Sequence, residues 1–268
     1  MKEGRIALAA VLGSPIAHSK SPILHGYWLK HYGISGFYLP IDVSSDNLRQ
    51  VLEVMPKMGF VGANVTIPHK VQVLSFAETI SDRAMEIGAA NTVTFDATGK
   101  MHADNTDGEG FVKNICYNVP NWVPQKGPAL VLGAGGAARA IVSGLLHQRV
   151  PEIFICNRTR KKAEKIAIDF GEKIRVIDWR DSSNFVAEAN ILINTTSLGM
   201  IGRPALSINL EYLTAKTLVS DIVYNPIQTD LLKQAKKNGC TTVDGLGMLI
   251  YQAIPGFTKW FGKEPKVD

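Results

Sequence analysis

The chain has 268 residues, 46% hydrophobic and 20% charged, with a formal net charge of +5. That length is enough for one large domain or two smaller ones with real cores. Without a run of five like charges or an apolar stretch of membrane-spanning length, the composition argues against a nucleic-acid or membrane partner and fits small anionic ligands.

Strand and helix patterns alternate almost throughout. Arg5–Leu12 is a continuous apolar run ending at Gly13, as in a buried parallel strand. Ser21-Pro22 opens a helix with a cap residue and a first-turn proline. Ile23, Leu24, Tyr27 and Trp28 form its apolar face, and Gly33 stops it. Phe37–Ile41 reads as a second strand. Ser45 caps a helix whose inner face is Leu48, Val51, Leu52 and Met55. Gly62–Ile67 is a third strand, cut by Pro68; a helix from Lys70 and strands around Ala90–Phe95 follow. A second unit begins near Pro128 with the strand Ala129–Leu132 and a helix reaching about Gln148. Next come the strand Ile153–Cys156, a helix capped by Thr159 and ended by Gly171, and strands Ile191–Asn194 and Thr217–Val223. Gly247–Phe261 reads as helical despite Pro255. Such alternation predicts an α/β fold of parallel sheets with right-handed crossovers.

Cys116, Cys156 and Cys240 are scattered in apolar contexts, with no metal-ligand spacing, and read as buried thiols of a reducing compartment. Met1–Arg5 leads into no signal-peptide core, so a cytoplasmic protein is expected.

Gly133-x-Gly135-x-x-Ala138 joins a predicted strand to a predicted helix. The first glycine permits a tight turn, the second lets the backbone approach a pyrophosphate, and the small third residue allows close helix packing. Amides of Gly133, Ala134, Gly135, Gly136 and Ala137 then face the phosphates at the helix start. A site for NAD usually places an acid at the end of the next strand. Here that place holds Asn157-Arg158-Thr159, followed by Arg160, Lys161 and Lys162. No carboxylate repels a 2′-phosphate, and an arginine can grip one with two parallel hydrogen bonds, so NADP is expected.

Upstream, Ser19 and Ser21 stand two residues apart in a polar loop and can present hydroxyls to one carboxylate; Ser21 also reads as the helix cap. Lys70 ends Asn64-Val-Thr-Ile-Pro-His-Lys70, and Asp107 lies in Asp104-Asn-Thr-Asp-Gly108. A lysine beside a carboxylate can move a proton to or from an alcohol while a cofactor moves the hydride. His18, His25 and His69 read as structural, and Asp104 with Asp107 makes no convincing cation loop, so no metal is expected.

With these motifs together the chain resembles the shikimate dehydrogenase family over nearly its whole length. The matching stretches are Pro15-Ile-x-His-Ser-x-Ser-Pro22, Asn64-Val-Thr-x-Pro-x-Lys70, Gly88-Ala-x-Asn-Thr92 and Asn105-Thr-Asp-Gly108. Further on come Gly133-Ala-Gly-Gly-Ala137, Asn157-Arg-Thr159, Asn194-Thr-Thr-Ser-x-Gly-Met200, Asp221-x-Val-Tyr-Asn-Pro226 with Thr229, and Gly245-x-Gly-Met-Leu-x-x-Gln-Ala253. Gly26 and Ala90 depart from the usual asparagine and valine.

The resemblance implies reversible reduction of 3-dehydroshikimate to shikimate with NADPH, in aromatic amino-acid biosynthesis. It implies substrate-carboxylate contacts from Ser19 and Ser21 and ring-hydroxyl contacts from Asn64, Thr66, Asn91 and Gln252. Lys70 and Asp107 become the catalytic pair, and Tyr224 a residue at the substrate end. Beside the glycine loop, Thr195, Ser197, Met200, Ile222, Gly245 and Met248 are implied at the cofactor. It also implies a mainly parallel substrate-binding and catalytic domain over 1–107, a Rossmann NADP domain over 108–238, and a C-terminal segment over 239–268 whose helix returns to the first domain. Partners would be the small-molecule substrate alone, with the enzyme a monomer or homodimer. Three rivals stay open: a relative acting on quinate, a methyltransferase, which would want an acid near position 157, and a non-catalytic dinucleotide sensor.

Overall fold

The computed structural model describes residues 6–267, so Met1–Arg5, including the first residue of the expected Arg5–Leu12 strand, and Asp268 lie outside the described residues. It divides into two compact units. One comprises the chain up to Asp107 together with the chain from Gln252 on, and the other is Gly108–Tyr251.

The first unit holds β1 (Ala7–Gly13), α1 (Ser21–His31), β2 (Gly36–Asp42), α2 (Leu48–Val54), β3 (Phe60–Val65), β4 (Thr79–Ile80), α3 (Asp82–Ile87), β5 (Thr92–Phe95) and β6 (Met101–Asp104). Its sheet runs in the order β2-β1-β3-β5-β6-β4. β1 is parallel to β2 and β3, and β4 to β6, whereas β5 is antiparallel to both neighbours. The antiparallel step follows from a short turn at residues 96–100, too short for a crossover. Asp96 Oδ1 organises it by accepting from the Thr98 amide (2.8 Å), the Thr98 hydroxyl (2.7 Å) and the Lys100 amide (3.0 Å). Leu12, Leu48, Leu52, Met55, Val65 and Val93 belong to the core under this sheet.

Four local expectations change. Ser45 does not cap α2, whose cap position is Asn47 without a side-chain bond. Ile23 and Tyr27 of the expected apolar face of α1 are exposed, the buried face being Ser21, His25, Trp28 and Leu29. The expected helix from Lys70 is a 3₁₀ turn at Gln72–Phe76, because the backbone is already extended at Ala77 and feeds β4. The cap position of α1 is Lys20, without a side-chain cap bond, and Ser21 is its first helical residue.

The second unit is entered along α4 (Asp107–Asn118). It continues through β7 (Ala129–Leu132), α5 (Gly136–His147), β8 (Ile153–Cys156), α6 (Arg160–Phe170), β9 (Ile174–Val176), α7 (Ser182–Val186), β10 (Ile191–Asn194), β11 (Leu218–Asp221), α8 (Asp230–Lys237) and β12 (Thr242–Val243). α9 (Leu246–Phe261) follows, and from Gln252 its residues belong to the first unit. The second sheet is parallel throughout, in the order β9-β8-β7-β10-β11-β12. Strand order reverses between β7 and β10, the doubly wound arrangement that binds dinucleotides beyond the carboxyl ends of its strands. Alternate side chains fill two cores. Val131, Ile155 and Ile193 enter one, and Leu130, Phe154 and Leu192 the other. Among the described residues no helix is long and apolar enough to cross a membrane.

Candidate active site

In the first unit, Lys70 follows β3 and Asp107 follows β6. Lys70 Nζ donates to Asp107 Oδ2 at 2.5 Å, with the two side chains 14% and 5% exposed, so water screens the pair little. The second oxygen, Asp107 Oδ1, accepts from Asn91 Nδ2 at 2.9 Å. The same amide nitrogen lies 2.9 Å from Thr106 Oγ1 and 3.0 Å from Gln252 Oε1. Two hydrogens facing three acceptors must be shared. Asn91 Oδ1 accepts from the Thr92 hydroxyl at 3.0 Å and the Thr106 amide at 2.9 Å. Asn105 finishes the turn: its Oδ1 accepts from the Asp107 amide (3.0 Å) and its Nδ2 donates to the Ala89 carbonyl (2.8 Å). The carboxylate is thus held by the turn that carries it, and its free direction is taken by the ammonium.

Other residues expected at the substrate divide by how much hydrogen-bonding capacity they have left. Asn64 has both amide hydrogens engaged and one acceptor site left: Oδ1 accepts from the Tyr38 hydroxyl at 2.6 Å, and Nδ2 donates to the Asn91 carbonyl (3.1 Å) and Thr92 Oγ1 (3.2 Å). Ser19 Oγ accepts from the Ser21 amide at 3.3 Å, so Ser19 rather than Ser21 serves the helix start. The hydroxyls of Ser21 and Thr66 have no side-chain partner among the described residues and remain available to an anion or alcohol. Thr66 fits where it does because Gly13 has no side chain; a Cβ there would come within 2.5 Å of Thr66 Cγ2. Tyr38, Thr92 and Thr106 are members of this network that the sequence reading did not assign. Thr92 and Thr106 lie inside recognised motifs, but nothing in the sequence marks Tyr38.

His25 and His69 are buried and held by the fold. His25 is fully buried, stacked on Tyr38 at 3.9 Å, and burial lowers its pKa to about 3. His69 Nε2 lies 2.7 Å from the Val43 carbonyl, which fixes the loop just before Lys70.

The second unit carries the expected cofactor residues at the carboxyl ends of its strands. After β7, Gly133 turns with φ +109°, and a Cβ on it would come within 2.6 Å of Thr195 Oγ1. Gly135 precedes α5 without a side-chain cap, and the space where its side chain would stand is open. Uncovered helix-start amides beside an open backbone fit a pyrophosphate. After β8, Asn157 Nδ2 donates to the Thr159 carbonyl at 2.9 Å. Arg160 is committed to Glu164 (2.9 Å) and Asp178 (2.6 Å), whereas Arg158 has no partner among the described residues. After β10, Thr195 Oγ1 donates to the Leu132 carbonyl at 2.7 Å, and Ser197 and Met200 follow in a half-buried turn.

After β11, Asp221 accepts from Asn194 Nδ2 (3.0 Å), the Val223 amide (3.0 Å) and the Thr229 hydroxyl (2.7 Å). Burial pushes its pKa up to about 6 against those donors. Ile222 is packed against Gly245, where any Cβ would strike the Ile222 carbonyl. Met248 is in the core and only 7% exposed, and Tyr224 is half-buried in the loop after β11.

Comparison with known proteins matches three family models in chain order. Residues 11–93 match the shikimate dehydrogenase substrate binding domain, 123–245 the shikimate/quinate 5-dehydrogenase domain, and 245–268 the shikimate 5′-dehydrogenase C-terminal domain. A shikimate dehydrogenase (NADP(+)) of Cereibacter sphaeroides is 56% identical, covering 98% of this chain and 95% of the relative. Among solved structures, shikimate 5-dehydrogenase of Thermus thermophilus, in complex with NADP(H) and shikimate, is 35% identical with a TM-score of 0.86, covering 97% of this chain and 95% of that one. Quinate dehydrogenase of Corynebacterium glutamicum, in complex with NAD, is 31% identical with a TM-score of 0.89, at 97% and 95% coverage.

Proposed function

Because the chain belongs to the shikimate dehydrogenase family, we propose that it reduces 3-dehydroshikimate reversibly to shikimate with NADPH, and that Lys70 and Asp107 handle the proton. The observation that carries the assignment of roles is the 2.5 Å Lys70–Asp107 pair, tied through Asn91 to Gln252.

On this reading the substrate carboxylate docks on the Ser19 and Ser21 hydroxyls. Asn64, Thr66, Asn91 and Gln252 meet the ring hydroxyls, and Tyr224 is a further substrate residue. Such orientation supplies much of the rate gain in a two-reactant step. Gly133–Ala137 hold the pyrophosphate, and Asn157, Arg158 and Thr159 the 2′-phosphate. Thr195, Ser197, Met200, Ile222, Gly245 and Met248 complete the cofactor contacts. NADPH, when bound, supplies the hydride. Lys70 Nζ donates a hydrogen bond to the carbonyl oxygen, stabilises the charge that grows there, and then gives up its proton. Asp107 orients the ammonium. In the oxidation direction Lys70 takes the alcohol proton instead.

Cys156 and Cys240 are buried as expected, whereas Cys116, on α4, is exposed; that all three are free thiols supports a reducing, cytoplasmic setting. The deciding measurement is loss of absorbance at the reduced-cofactor band when 3-dehydroshikimate is added, run beside NADH and dehydroquinate. Turnover confined to 3-dehydroshikimate with NADPH supports the reading. Turnover only of dehydroquinate, or only with NADH, overturns it.

A further inference from the structure

Asp104 stands three residues before Asp107 and collects more donors than a lone structural carboxylate needs. Its Oδ1 accepts from Ser81 Oγ (2.7 Å), Arg83 Nε (2.7 Å) and the Asn105 amide (2.8 Å); its Oδ2 accepts from Arg83 Nη2 (2.7 Å) and Lys259 Nζ (3.1 Å). The residue is 3% exposed. Burial by itself would raise its pKa; the Arg83 guanidinium, the Ser81 hydroxyl and the Lys259 ammonium outweigh that and hold it well below the usual carboxylate range. Asp104 is therefore a fixed negative charge at working pH.

The three elements that meet on this carboxylate lead separately to three residues of the site. Ser81 caps α3 and Arg83 lies in its first turn; α3 runs into Gly88 and the loop that ends at Asn91. Lys259 lies on α9 seven positions after Gln252, which is two turns along the same helix face. Asp104 itself starts the turn that presents Asp107. Asn91 Nδ2 then donates to Asp107 Oδ1 at 2.9 Å and to Gln252 Oε1 at 3.0 Å. A junction of the same three elements is thus made twice, once on the buried Asp104 carboxylate and once on the Asn91 amide at the site.

We propose that Asp104 is a positioning residue for proton transfer, its charge setting the register of α3, α9 and the 104–107 turn so that Asp107 holds Lys70 in place. The proposal rests on the assignment of Lys70 and Asp107 above. Neutralising the carboxylate while keeping its shape should let these elements slip slightly. Small misplacements at a reacting group cost on the order of 10- to 100-fold in rate.

The test compares Asp104→Asn with Leu52→Ala, a core truncation of the same unit (Leu52 is 4% exposed), both assayed as folded full-length enzyme below their melting midpoints. Asp104→Asn should lower kcat for shikimate oxidation at least about tenfold while KM for NADP stays within about twofold. Leu52→Ala should lose thermal stability but keep kcat, and Asp104→Glu, with its charge kept, should recover part of the loss. If Asp104→Asn does not fold, Arg83→Met and Lys259→Met, at half-exposed positions, each should lower kcat severalfold in the same pattern. Unchanged kcat in the folded Asp104→Asn enzyme, or equal kcat losses in Asp104→Asn and Leu52→Ala, would overturn the proposal. A wild-type enzyme inactive on shikimate would instead overturn the underlying assignment, which keeps the two failures apart.

Discussion

At the scale of single residues, Lys70 and Arg158 are expected to fail in different parameters. Lys70→Ala removes the proton donor while leaving the carboxylate and hydroxyl contacts, so kcat should fall by about 10²–10⁴ with little change in KM. Retained turnover would point to another donor. Arg158 is the guanidinium after β8 that has no partner among the described residues, so Arg158→Ala should weaken NADP by about 1.5–3 kcal/mol, the worth of a charged hydrogen bond. Titration of NADP and NAD against both proteins checks this, and an unchanged preference for NADP would refute it. His25 gives a stability prediction with a definite sign. Its ring titrates near 6.5 when unfolded and near 3 when folded, so below pH 6.5 the unfolded chain binds a proton that the folded chain refuses. The stability tied to the neutral ring is complete above pH 6.5 and drains as pH falls towards 3. His25→Phe keeps the stacking surface and removes no hydrogen bond, since neither ring nitrogen has a partner among the described residues. Urea unfolding at pH 7 and pH 5 should show the wild type losing about 1–2 kcal/mol more than the variant.

At the scale of elements, the close approach of α9 to the first sheet depends on Gly62. Trp260 Nε1 donates to the Val93 carbonyl at 3.0 Å directly over Gly62, and a Cβ there would strike the indole nitrogen. Gly62→Ala should cost about 2–4 kcal/mol from overpacking and the lost bond; a shift of the denaturation midpoint worth less than 1 kcal/mol would contradict this. The elements were legible in the sequence wherever burial wrote a long apolar run. β7, β8 and β10 begin and end where Ala129–Leu132, Ile153–Cys156 and Ile191–Asn194 do, because strands covered on both faces are built mainly from apolar residues, with a polar one only at the carboxyl end of β10, where Asn194 bonds Asp221. β4, with two residues, and β6, with a histidine and an aspartate among four, wrote no such run. The site followed the same logic. Motif residues were readable, whereas Tyr38 reaches Asn64 across 26 positions and Lys259 reaches Asp104 across 155, distances over which local pattern carries nothing.

At the scale of the whole molecule, the second unit is one uninterrupted stretch and the first is made of two. A fragment spanning 108–251 retains the entire parallel sheet and should unfold cooperatively, with NADP at a hundred times its Kd adding about 2.7 kcal/mol. A fragment ending at 107 lacks Phe257 and Trp260, both buried, and should not fold; thermal melts of the two decide. The tryptophans are shared equally: Trp28 and Trp260 in the first unit, Trp122 and Trp179 in the second. The His25 ring lies 5.6 Å from the Trp28 ring and 5.8 Å from that of Trp260. An imidazolium so near would drain light from both indoles, so the first unit carries a fluorescent gauge of its own acidification, dimming as the buried ring gains charge.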